Sequence, residues 1–121
     1  MVDFNESQIQ EVWKMGVSIE AYDKNEYRKD FAGAWMQRSQ YGKQSPLGWS
    51  IDHKYPKSKG GDENIDNLRP LQWENNIKKA DDYPSFKTSK TSEVNNNIDF
   101  EQSWTENQDV QKRLNELYKI K

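Results

Sequence analysis

Only 32% of the residues are hydrophobic, yet five Trp, six Tyr and four Phe stand among them, and this pairing restricts the fold more than any other feature. With so few aliphatic side chains, the core has to be built from large aromatic faces. A chain of 121 residues has room for one domain and one modest core, and therefore for one site. The chain has no Cys, which excludes a disulfide framework, a thiol nucleophile and any zinc site built on thiolates. Any metal must be held by oxygen or imidazole. The apolar runs fall far short of the roughly 20 residues that span a bilayer. The opening Met-Val-Asp-Phe-Asn-Glu lacks the basic-then-apolar pattern of a signal peptide. The expectation is a cytoplasmic protein with no membrane partner.

The formal charge of -2 and pI near 5.5 argue against a nucleic-acid partner, whose usual mark is a basic patch. The distribution answers part of this objection. Between Arg38 and Lys90 there are ten Lys or Arg against seven Asp or Glu, whereas the remainder has eight against thirteen.

Ile9, Val12 and Trp13 fall at i, i+3 and i+4, so the spacing predicts a helix from Ser7 to Met15, capped by Asn5 or Ser7 and ended by Gly16. Val17 to Gly33 has no clean period and reads as loop with a helical turn. Ala34 to Gln40 has strand composition, and Gly48 to His53 alternates Trp49, Ile51 and His53 with Ser50 and Asp52. The turn-like stretch between them, with Gly42 and Pro46, suggests that these two segments pair. Leu68 to Gln72 offers a further strand, short or at an edge because of Pro70. Trp73 to Asp82 is free of Gly and Pro and meets Pro84, which fits a helix that stops before the proline. Ser85 to Asn97 is polar and reads as a linker or surface loop. From residue 98 to 121 a C-terminal amphipathic helix is expected, with Val110, Leu114 and Leu117 on one face to cover the domain or a partner.

His53 is the only imidazole in the chain. A lone His is more often a structural hydrogen-bonding residue than a catalyst, but this one follows Asp52 at a strand end and precedes the Gly60-Gly61 loop. From Trp49 the chain runs WSIDHKYPKSKGGDENIDNLRPLQWENNIKKADD. This stretch resembles the HNH (ββα-metal) endonuclease family of compact bacterial and phage proteins. The likeness rests on an Asp-His pair, Pro and Ser before Gly-Gly, Asn-Leu entering a strand, and Asn-x-x-Lys on the next helix; several features in fixed order carry more weight than one short motif.

The resemblance implies an α+β fold with a ββα-metal (HNH) core over 34–84 inside a 1–84 domain, flanked by N- and C-terminal helices. It implies His53 as general base, Asp52 and Asn76 as ligands of one divalent ion, and Asn67 as the residue bridging the loop. Oxygen ligands suit Mg²⁺, with Mn²⁺ as a substitute. Asn75 competes with Asn76; the Asn-x-x-Lys-small-Asp pattern favours Asn76 and leaves Asn75 facing solvent or touching a loop. Double-stranded DNA is the expected partner, and Lys54, Lys57, Lys59, Arg69, Lys78 and Lys79 are candidates to meet its phosphates. A protein partner or homodimer through the C-terminal helix is also open. The competing reading is a catalytically inactive module that keeps the fold and binds nucleic acid or protein.

Overall fold

Asn5 starts helix α1 (Glu6–Trp13) by a capping box: its side chain accepts from the Gln8 amide, and the Gln8 side chain accepts from the Asn5 amide. Ile9, Val12 and Trp13 form one buried stripe on this helix. They meet Met36, Trp49, Ile51 and Leu68 in the main core, against which Phe4 and Tyr41 pack. Trp13 and Trp49 lie 5.2 Å apart, ring to ring. Each indole keeps its N–H satisfied, Trp13 on the Lys24 carbonyl and Trp49 on that of Arg38. The computed structural model describes residues 3–120; Met1 and Val2 of the expected 1–84 domain and Lys121 of the expected C-terminal helix lie outside the described residues.

The described residues make a small α+β fold of three α-helices and three two-stranded antiparallel sheets. Strands β1 (Tyr27–Lys29) and β2 (Trp35–Gln37) pair with each other. This corrects two expectations, since β1 lies inside the supposed 17–33 loop and β2 does not pair with the 48–53 segment. Three residues are too few to show an alternation, and the pairing is set by the turn between them. There Gly33 takes φ +94°, and the buried Asp30 carboxylate accepts from the Ala34 amide at 2.9 Å.

Strands β3 (Trp49–His53) and β4 (Leu68–Gln72) form the second sheet, with Trp49 opposite Gln72 and His53 opposite Leu68. Pro70 faces Ile51, which is tolerated because each strand of a two-stranded sheet is an edge. Helix α2 (Trp73–Lys79) follows directly, capped by the Gln72 side chain, which accepts from the amides of Glu74 and Asn75.

The segment read as a linker is instead a long hairpin of β5 (Ser85–Glu93) and β6 (Asn96–Thr105). Its polar composition misled because only Phe86 and Thr88 of β5 are buried. The hairpin lies along α2, and its register slips between Thr88 and Lys90. Asn75 fills that irregularity: its amide oxygen accepts from the backbone of Ser89 and Lys90, and its amide nitrogen donates to the Lys90 carbonyl and to Asp30. Asn75 is thus fully buried and not a solvent-facing residue. Helix α3 (Gln108–Tyr118) is shorter than expected because residues 98–105 belong to β6; Leu114 buries it on the domain, next to the Ile65–Asn67 turn. Among the described residues no helix is long and apolar enough to cross a membrane.

Candidate active site

β3 ends where the 54–67 loop begins, and α2 crosses beside it, so three elements meet around one open cleft of about 650 Å³. Ser50, Asp52, His53 and Asn76 all line it, together with Lys57 and Asp81. The two helix asparagines part ways: successive helical residues point about 100° apart, and the Asn76 amide nitrogen donates to Ser50 Oγ at 2.7 Å in the cleft while Asn75 points into the hairpin. Among the described residues the Asn76 Oδ1 makes no hydrogen bond.

The loop is held by its own backbone chemistry. Asn67 is completely buried; its Oδ1 accepts from the Tyr55 amide at 2.7 Å, and its Nδ2 donates to the carbonyls of Tyr55 and Asp62, each at 3.1 Å. Gly60 adopts φ +114°, which favours glycine. A Cβ on Gly61 would sit 1.8 Å from the Tyr55 carbonyl oxygen. The pair is needed so that the chain can close on itself here.

Asp52 lies deeper than the sequence suggested, at 3% exposure. Arg69 Nε donates to its Oδ2 at 2.9 Å, and Lys79 Nζ stands 3.2 Å from its Oδ1. Arg69 also makes a two-pronged pair with Glu106, 3.0 and 2.6 Å long, and lies over the rings of Phe31 and Phe86. Burial by itself would lower the Arg69 pKa, but the charges and hydrogen bonds of Asp52 and Glu106 outweigh it and raise the value. Lys79 is fully buried and also donates to the His53 and Lys54 carbonyls. These two cations balance two carboxylates inside the protein, as buried charges require.

This arrangement corrects the expected set of phosphate contacts. Lys79 is withdrawn from the surface, and Arg69, 13% exposed, is committed to Asp52 and Glu106. Lys54 is half-buried with Nζ on the Asp66 carbonyl, and desolvation together with the nearby Arg69 charge lowers its pKa. Lys57, Lys59 and Lys78 are exposed; Lys57 pairs with Glu63 and Lys78 with Glu101.

Beside His53, whose side chain is 14% exposed, stands Glu63, with Oε1 3.3 Å from the ring Nε2. Lys57 Nζ reaches the same oxygen at 3.3 Å. Partial desolvation pushes the Glu63 carboxyl up, but the hydrogen bonds and charges of Lys57 and His53 exceed it and hold the group below the usual carboxylate range. Sequence reasoning missed both Glu63 and Glu106. Glu63 carries no motif signal, and Glu106 is 37 residues away from its partner Arg69.

Among the described residues no cluster of three or more His, Cys, Asp or Glu is arranged to hold a metal. The ligand pair expected from the sequence, the Asp52 carboxylate and the Asn76 amide oxygen, borders this cleft and would leave water or substrate to complete a cation's shell. That donor set fits Mg²⁺, which commonly uses one or two carboxylates and keeps several waters. An ionised carboxylate offers about four acceptor positions, and Arg69 and Lys79 take two of them. No family model, no curated protein and no solved structure matches this chain.

Proposed function

We propose that β3, β4 and α2 are the ββα-metal core of an HNH-type endonuclease that hydrolyses DNA phosphodiester bonds with one divalent metal ion, most simply Mg²⁺. One observation supports this reading above the others: Asp52, His53 and Asn76, which bring a carboxylate, an imidazole and an amide, line the same cleft. Asp52 and Asn76 hold the ion. When bound, it polarises a phosphate oxygen and stabilises the departing 3′ oxygen.

The chain's own side chains do the rest. His53 is the general base and takes a proton from the attacking water. The water oxygen bonds to phosphorus, the bond from phosphorus to the 3′ oxygen breaks, and that oxygen gains a proton from solvent. Asn67 fixes the loop that frames the ring, and the exposed Lys57 and Lys59 meet phosphate. Supercoiled plasmid incubated with Mg²⁺, with EDTA and with the His53→Ala variant tests the reading, which requires cleavage in the first case alone.

A second reading has its own observation. Both oxygens of Asp52 already face buried cations, which suits a catalytically inactive module that binds nucleic acid or protein. Salt-sensitive DNA binding with no cleavage in any divalent metal would select it.

A further inference from the structure

We propose that Glu63 is a positioning residue that fixes the tautomer of His53 and leaves its Nδ1 as the proton acceptor of the cleft. Its catalytic consequence rests on the nuclease reading; its geometry does not. A neutral imidazole carries one N–H, and an ionised carboxylate can only accept. With Glu63 Oε1 3.3 Å from Nε2, the N–H sits on Nε2 and the lone pair on Nδ1. Among the described residues no hydrogen bond reaches Nδ1.

The carboxylate is itself held in place. Lys57 anchors Oε1 from the other side. The loop beneath Glu63 is tied at Asp62, whose carbonyl accepts from Asn67 and whose side chain accepts from the Tyr118 hydroxyl. The ring end is held as well: Lys79 donates to the His53 carbonyl at 3.1 Å, and Phe4 lies 6.1 Å from the imidazole, ring to ring. The Glu63 side chain is one-third exposed, so its replacement leaves the fold intact. A third group that orients a base through its far nitrogen sets which nitrogen does the chemistry.

Because His53 is the only histidine, ¹⁵N-histidine labelling of the full chain gives one pair of ring resonances. At pH ~8, above the ordinary imidazole range, the wild type should show a protonated Nε2 and a bare Nδ1. Glu63→Ala should relax the spectrum toward the tautomer mixture of a free imidazole, and Glu63→Asp should recover part of the bias. In plasmid cleavage, Glu63→Ala should lower kcat roughly 10-fold, the low end for loss of an orienting partner, with KM little changed. A wild-type ring protonated on Nδ1, or a spectrum identical in Glu63→Ala, would overturn the assignment. If the wild type cuts no DNA, the nuclease reading fails, while the spectra still decide the role of Glu63.

Discussion

Asp52 and His53 are neighbours in sequence but belong to opposite kinds of environment. The Asp52 side is closed: the carboxylates of Asp52 and Glu106 and the Lys79 ammonium are buried, the Arg69 guanidinium is paired with both carboxylates, and the cations lie against the aromatic rings of Phe31 and Phe86. On the His53 side the structure is open: the imidazole and Lys57 line a cleft, and Glu63 pairs with both. In the closed half each charge has a partner that fixes its geometry, because a buried charge without one is strongly destabilising, and Asp52 alone also borders the cleft. In the open half, charges are cheap to change and are available for chemistry, since exposed pairs contribute little to stability. The β3 strand end thus joins a rigid ionic base to an adaptable acid-base edge.

The comparison breaks most severely at Arg69. Arg69→Leu leaves Asp52 and Glu106 buried without their shared partner, so urea denaturation should show a loss of about 3–5 kcal/mol. Lys57→Ala, which removes a cation from the open half, should change stability by no more than about 0.5 kcal/mol. Equal losses in the two variants would erase the distinction. Asn67→Ala comes next, because Asn67 joins both halves through the loop; stranding the buried partners of its amide should lose about 1–3 kcal/mol in the same assay.

Asn76→Ala sharpens the contrast from the cleft side. Among the described residues its Nδ2 has a single partner, Ser50 Oγ, so stability should change little. The Mg²⁺ concentration giving half-maximal cleavage should rise roughly 10- to 100-fold, comparable to losses from outer ligand-supporting groups. The smallest effect belongs to α3. Desolvation, then the hydrogen bond to Asp62, pushes the Tyr118 phenol up to about 12 from an ordinary 10.0. The folded protein therefore keeps that proton longer than the unfolded chain. Whatever stability the tether adds is present below about pH 10 and lost as pH rises toward 12. An absorbance titration should show a tyrosine ionising near pH 12 that vanishes in Tyr118→Phe, while Tyr41 and Tyr83, raised by burial, persist.

What could be read from the sequence was local. The apolar spacing of Ile9, Val12 and Trp13, the Trp49–His53 alternation and the Pro-bounded run after Gln72 each describe contacts made within a few residues, and α1, β3 and α2 lie where those signals put them. β1 was too short to carry a pattern. β5 and β6 were hidden because a hairpin lying on a helix with few buried side chains has the composition of a loop. The site shows the same division. Asp52, His53 and Asn76 follow a strand, loop and helix order that is contiguous in sequence, and they line one cleft. The burial of Arg69 and Lys79 depends on Glu106 and Phe86, which lie beyond that stretch. A lysine or arginine beside a motif looks like a phosphate contact until its distant partner is placed.

Supercoiled plasmid nicking in Mg²⁺, compared between wild type and His53→Ala, tests the central claim most directly. The account predicts cleavage by the wild type, abolished by EDTA, and a loss of ~10²- to 10⁴-fold in the variant with the denaturation midpoint nearly unchanged. Equal cleavage by both proteins, or none by the wild type in Mg²⁺ or Mn²⁺, would contradict it.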